Sequence, residues 1–396
     1  MEKTAYLDEA TTSWPKDERT LAALVEGADM KGSSARGLSQ GPDRAVLHAR
    51  STVASYFGVE DADRIVFTPG ATFALNLVLK GTLEQGDTVL TSRSEHNSVA
   101  RPLAQLAEQG VNVEFMPCDE FGRVEVAGVE SYLAEHEVQA IVCQHGSNVT
   151  GLLQPVEELC ALGTRFGVPV IIDGAQVGGH VPVDLAVMKP AAWICSGHKG
   201  LRGVKGVGVM YLREGFEPKP LVTGGTGAGD ETLEGIDALS LYESGTQPLP
   251  AILALAAAIE AAPPIEEIVQ KEAALTEIML ESLRAIDDIY IVGDAMGAAS
   301  IDAVGAYESA RVALQGVSRL PLVSITSKKY SPDELAFLLE KKYGIATRAG
   351  MQCAPLLHKH LGTYEQGGAV RLSISYCTPR ADVDYALRAL REIFER

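Results

Sequence analysis

The chain has 396 residues, 46% of them hydrophobic and 22% charged, the make-up of a folded protein whose length exceeds one compact core. A net charge of −18 argues against nucleic acid or an anionic membrane as partner, so a bound anion would have to be held by local dipoles and hydroxyls. Six cysteines without a Cys-x-x-Cys pair give neither metal-ligand spacing nor a disulfide framework, and Met1 to Tyr6 lacks the apolar core of a signal peptide, so a cytoplasmic protein in a reducing compartment is expected.

Strands are predicted near 64–68, 87–92, 111–116, 139–144, 169–173, 191–196 and 206–212, with helical segments between them. Such alternation gives an α/β fold with a mostly parallel sheet and helices on both faces. The first strand runs through Pro69-Gly70-Ala71-Thr72 into the helical stretch Phe73–Leu79. Backbone N–H groups at that helix start and the Thr72 hydroxyl suit a phosphate, although an ordinary N-cap reads the same way. Pro169-Val170-Ile171-Ile172-Asp173 is a buried strand ending in a carboxylate, placed where open α/β sheets bind ligands. The alternative for Asp173 is a helix cap. Ser196-Gly197-His198-Lys199-Gly200 puts a lysine on a tight turn between two strands, either as a basic turn or as an amine able to form a Schiff base.

A helical stretch from about 247 to 284 leads to Ile289–Val292, Leu322–Ile325 and a helix opened by the capping box Ser331-Pro332-Asp333-Glu334. Next comes a glycine-bearing stretch from Gly350 to Gly368 with little apolar periodicity, which reads as a loop carrying Cys353. The other five cysteines mostly fall within or beside apolar segments and read as small core residues. A strand near 369–376 has Leu372 and Ile374 on one face and Arg371, Ser373 and Ser375 on the other, and a final helix starts from Pro379 with Thr378 as its N-cap.

These segments together resemble the cysteine desulfurases, in the class V aminotransferase group of fold-type I pyridoxal phosphate enzymes. The resemblance rests on Tyr6-Leu7-Asp8-Glu9-Ala10-Thr11-Thr12, Ser94-Glu95-His96-Asn97-Ser98-Val99, Ser147-Asn148-Val149-Thr150-Gly151, Asp173-Gly174-Ala175-Gln176 and Ser196-Gly197-His198-Lys199. Gly224-Gly225-Thr226-Gly227, Glu243-Ser244-Gly245-Thr246 and Arg348-Ala349-Gly350-Met351-Gln352-Cys353-Ala354-Pro355 complete it.

The resemblance implies a large cofactor-binding domain over 15–250 and a smaller α+β domain from 1–14 and 251–396 that carries the cysteine loop. It implies pyridoxal 5′-phosphate as cofactor, with Lys199 as Schiff-base lysine, His96 stacked on the ring, Asp173 on the ring nitrogen, and Gln176 and Asn148 near the ring hydroxyl. Ala71, Thr72, Ser196 and His198 would hold the phosphate, joined by Thr226 from the neighbouring subunit of a homodimer. Arg371 would bind the substrate carboxylate, with Asn148 beside it, and Cys353 would take sulfur from L-cysteine as a persulfide for an acceptor protein. A selenocysteine lyase acting on L-selenocysteine is the nearest alternative, followed by an aminotransferase or an inactive scaffold. The chain departs from the family pattern at Met351 and Gln352, where a histidine often precedes the cysteine, at Phe73, and at Ser240, Leu241 and Tyr242, where a basic residue is absent.

Overall fold

The structure, a computed structural model, describes residues 4–31, 40–225, 241–294 and 319–395. The strands are β1 (Ala5–Tyr6), β2 (Ile65–Thr68), β3 (Thr88–Thr91), β4 (Asn112–Phe115), β5 (Ala140–Gln144), β6 (Val170–Asp173), β7 (Ala192–Ser196), β8 (Gly208–Leu212), β9 (Ile289–Ile291), β10 (Leu322–Ser327), β11 (Ile345–Ala346), β12 (Arg348–Gly350) and β13 (Ala369–Ser373). Seven of them form the main sheet in the order β2-β8-β7-β6-β5-β3-β4. Only β8 runs against its neighbours, so the sheet is mostly parallel, as the alternation predicts.

The near-continuous apolar strands are explained by cover on both faces. Ile141, Cys143, Val170, Ile172, Trp193 and Cys195 enter one core, while Ala140, Val142, Ile171, Ala192 and Ile194 enter another. Successive residues of one strand thus feed opposite layers, which is the two-residue period of a strand. Helix Ala71–Thr82 packs in the second layer, and helix Leu249–Ala261 in the first.

A second, antiparallel sheet has the order β12-β13-β10-β9 and shares a core with helices Ile265–Arg284, Pro332–Tyr343 and Arg380–Phe394. β1 pairs with β11, so the N-terminal segment begins in this half before crossing to the other.

Three local expectations change. The stretch 247–284 is two helices, because Pro263 and Pro264 cannot continue the first and Pro264 caps the second. The last helix starts at Arg380 with Pro379 as its N-cap residue, and the Thr378 hydroxyl instead accepts from Ser375 N at 3.0 Å. The stretch after Gly350 is not one loop: β12 precedes Cys353 and helix Pro355–His360 follows it. The capping box stands, with Ser331 Oγ accepting from Glu334 N at 3.3 Å and Glu334 Oε2 from Ser331 N at 2.9 Å.

Candidate active site

The carboxyl ends of the parallel strands converge on one crevice. Ala71, Thr72, His96, Asn148, Asp173, Gln176, Ser196 and Lys199 line it together with Ser98, Gln144, Gly146 and Ala175. An adjoining cleft of about 680 Å³ is lined by Gly70, Ala71, Thr72, Ser196, His198 and Lys205. The segments around Gly70 and Ser196, quoted from sequence, follow β2 and end β7, which flank β8 on either side. Gly70 packs tightly on β8: a Cβ on Gly208 would lie 2.7 Å from Gly70 C.

Helix Ala71–Thr82 begins at Gly70, whose φ of 142° only glycine adopts readily, and no side chain caps it. Its first N–H groups and dipole are thus available to an anion beside the Thr72 and Ser196 hydroxyls. His198 accompanies them but is tied to the N-terminal segment, with Nδ1 3.1 Å from Thr12 Oγ1, and burial brings its imidazole down to about 4. Thr226, the remaining residue expected at the phosphate, lies outside the described residues.

Asp173 ends β6 with 5% of its surface exposed. Its Oδ1 accepts from Ala175 N at 2.9 Å and its Oδ2 from Ser98 Oγ at 3.4 Å. The cap-like bond and the crevice-lining position coexist. His96 is the N-cap of helix Asn97–Glu108, and its Nδ1 accepts from Ser98 N at 3.0 Å. Burial also depresses its pKa, which favours the neutral ring, and an accepting Nδ1 assigns that ring's proton to Nε2. Ser98 serves both groups, a role its place two residues after His96 hints at.

Lys199 is partly buried on its turn after β7. Burial lowers its amine to about 8, against the opposing pull of Asp173 and with help from Arg371. The turn is fixed by Gly197 N donating to Val207 O (3.0 Å) and Arg202 N donating to Lys199 O (2.8 Å). Gly200 and Gly179 touch backbone to backbone, so neither tolerates a side chain.

Arg371 lies in β13 and is 3% exposed. Nη1 donates to Asn148 O at 3.0 Å, and Nη2 to Asp8 Oδ1 (3.2 Å) and Thr11 Oγ1 (3.0 Å). Asn148 Nδ2 donates to Gln352 O at 2.6 Å, while its Oδ1 is buried without a partner. Gln176 lines the crevice, and its Nε2 donates to Ala10 O at 3.1 Å.

Cys353 is exposed. Gln352 and Cys353 take left-handed φ angles of 46° and 60°. The turn is strapped by Asn97 N donating to Cys353 O (2.7 Å), by Asn148, and by Gln352 Nε2 donating to Ala369 O (2.9 Å). Gln352, noted in the sequence as a departure, is thus part of the turn's scaffold. Of the remaining cysteines, Cys143, Cys160 and Cys195 are buried and burial raises their thiols, as core residues require. Cys118 is half-buried and Cys377 exposed, so the core reading does not extend to Cys377.

The family description Aminotransferase class-V matches residues 5–314 and 295–386. A probable cysteine desulfurase of Aeropyrum pernix is 32% identical over 410 residues, covering 98% of this chain and 94% of that one. The chain belongs to the class-V aminotransferases, in their cysteine desulfurase family. Another member, a probable cysteine desulfurase of Methanothermobacter thermautotrophicus, is 28% identical over 98% of this chain and 94% of its own length. The apo structure of a cysteine desulfurase from Thermococcus onnurineus superposes with a TM-score of 0.85 at 26% identity, covering 99% of this chain and 95% of that one.

The cysteine desulfurase family resemblance also draws attention to Glu243. It is buried against Arg50 through two bonds of 2.9 and 2.8 Å and accepts from Phe67 N at 2.6 Å. In this chain the Glu-Ser-Gly-Thr segment is pinned to β2 by its acid, and nothing in the sequence around Arg50 signals that pairing.

Proposed function

We propose that this chain is a pyridoxal 5′-phosphate-dependent cysteine desulfurase that converts L-cysteine to L-alanine and holds the sulfur as a persulfide on Cys353 for a protein acceptor. The observation that carries the reading is an amine lowered to about 8 and a buried strand-end carboxylate on one crevice, with the Cys353 turn bonded to that crevice's wall through Asn148.

The residues present fit the cofactor. An uncapped helix N-terminus with Thr72 and Ser196 suits a phosphate, Asp173 suits a protonated pyridine nitrogen, and the unpartnered Asn148 Oδ1 suits a hydroxyl donor. His96 would cover the ring face, Gln176 would lie near its hydroxyl and His198 near its phosphate, with Thr226 from a second copy in a homodimer. When bound, the cofactor supplies the electron sink that stabilises negative charge at the substrate α-carbon.

The protein's own groups do the rest. Arg371 takes the substrate carboxylate with Asn148 beside it, a match its planar fork makes in two bonds. Lys199 Nζ, half neutral near pH 8, removes the α-proton. The Cys353 thiolate attacks the substrate Sγ: an S–S bond forms, the C–S bond breaks, and its electron pair stays with carbon. Reprotonation, with a His96 ring that has first taken up a proton from solvent as donor, releases alanine. An acceptor thiolate then attacks the outer sulfur and frees Cys353.

The functional units we propose are residues 15–250, which hold the cofactor, and 1–14 with 251–396, which present Cys353; helix Leu249–Ala261 packs on the large sheet at their join. Among the described residues no helix is long and apolar enough to cross a membrane. A cytoplasmic location is part of the proposal.

The test is alanine and sulfide analysis with L-cysteine and L-selenocysteine as separate substrates, for wild type and Cys353→Ala. A desulfurase loses L-cysteine turnover in the variant. Turnover confined to L-selenocysteine would make the protein a lyase, and a keto-acid product would make it an aminotransferase.

A further inference from the structure

The N-terminal segment contains a carboxylate that the proposed mechanism leaves unused. Asp8 follows β1, forms a bridge with Ser373 of the strand carrying Arg371, and is followed by residues that bond to the Lys199 turn. Glu9 N and Ala10 N donate to Ser373 O (3.4 Å) and Ser373 Oγ (2.9 Å), and Ser13 N donates to His198 O at 3.0 Å. Asp8 is therefore held at a fixed place between the two halves.

Its Oδ1 accepts from Arg371 Nη2 at 3.2 Å and from Thr11 Oγ1 at 2.8 Å, and the same hydroxyl accepts from Arg371 Nη2 at 3.0 Å. Arg371 is 3% exposed, and a guanidinium at that depth needs a counter-charge and saturated donors. Asp8 supplies the charge, yet Arg371 Nε remains buried without a partner. Asn148, which accepts from Arg371 Nη1 through its backbone, likewise keeps a buried Oδ1 without one. One donor and one acceptor thus stay unpaired at adjoining, nearly fully buried residues. Asn148 also holds Gln352 O, one residue before Cys353.

We infer that Asp8 is a positioning residue: it fixes the Arg371 fork for the carboxylate of an α-amino acid and, through Asn148, keeps that receptor in register with the Cys353 turn. The inference rests on the desulfurase reading. Asp8 touches neither substrate nor cofactor in this role. It holds Nη2, so that the guanidinium enters binding already oriented instead of ordering on the ligand. Thr11 is the bridge that lets one carboxylate oxygen satisfy both.

The experiment compares wild type, Asp8→Asn, Asp8→Glu and Thr11→Val, with L-cysteine and with cysteamine, which lacks the carboxylate. Folding is checked by circular dichroism and thermal midpoint. Asp8→Asn is expected to raise KM for L-cysteine about tenfold with kcat within about threefold, the scale of one charge-assisted contact. Asp8→Glu should recover part of that loss, and Thr11→Val, which keeps the counter-charge, should raise KM by about threefold. The ratio of kcat/KM for L-cysteine over cysteamine should fall in step with KM. A lowered thermal midpoint with KM and that ratio unchanged would overturn the role, since a purely structural ion pair would behave that way. A fall in KM for Asp8→Asn would also overturn it, marking Asp8 as a competitor of the substrate. Failure of the wild type to release alanine from L-cysteine would instead reject the desulfurase reading, whatever the variants do.

Discussion

The Lys199 turn, in the crevice, and the Cys353 turn, bonded to its wall through Asn148, carry the two side chains proposed to react, and they are built in opposite ways. Lys199 sits just past the end of a fully buried strand, with its turn closed by backbone bonds and by glycines that admit no side chain. Its chemistry comes from the sheet: burial sets the amine, and the neighbouring strand end supplies Asp173. Cys353 is exposed, and two consecutive non-glycine residues there hold left-handed angles. Each such residue costs about 1–2 kcal/mol. The turn persists because Asn97, Asn148 and Gln352 strap it to three different elements. On the proposed reading, a buried sheet end tunes a group by its surroundings, whereas a strapped turn delivers it.

The comparison breaks first at the lysine. Lys199→Ala should reduce alanine formation by roughly 10⁴-fold, the upper end for removing a proton-transfer group, and abolish borohydride-trapped cofactor on that peptide. Label retained on the protein would move the assignment to Lys205, which lines the neighbouring cleft. Asp173→Asn should cost roughly a hundredfold or more in turnover with the fold intact, because the amide keeps the bond from Ala175 N but loses the charge. Near-normal turnover would remove Asp173 from the chemistry.

The pH dependence sharpens the same contrast. A lysine amine is neutral above its pKa, so lowering Lys199 from 10.5 to about 8 extends its nucleophilic range downward. Peptide-resolved trapping of pyridoxal by the cofactor-free protein should rise at Lys199 with a midpoint near pH 8. Lys16, which burial also lowers to about 8, should label in the same range and serves as an internal reference. A midpoint near 10.5 at Lys199 would contradict the burial effect.

A smaller effect is expected at the cysteine side. Gly350 has φ 97° with open space around its missing Cβ, so Gly350→Ala introduces backbone strain without a clash. It should cost about 1–3 kcal/mol in denaturant unfolding and lower L-cysteine turnover while leaving cofactor binding unchanged. Unchanged turnover would show that strand β12 does not set the turn.

Legibility in the sequence follows the same division. Strand ends and glycine turns around Gly70, Asp173 and Ser196 could be read because period, turn chemistry and residue type agree locally. The Cys353 segment reads as a loop because its order comes from long-range side-chain straps, with Asn148 204 residues away from Gln352. Pairings such as Arg371 with Asp8 and Arg50 with Glu243 span the chain and leave no local pattern. Pro263-Pro264 is a local signal for the helix break that the helical pattern on either side masks.

The most direct measurement is mass spectrometry of the holoprotein after brief exposure to L-cysteine without an acceptor thiol, with peptides mapped under non-reducing conditions. Delivery by the strapped turn predicts a gain of one sulfur atom on the peptide containing Cys353, removable by a thiol reductant, with alanine formed in equal amount. Alanine formed without sulfur on Cys353, or sulfur appearing first on Cys118 or Cys377, would contradict it.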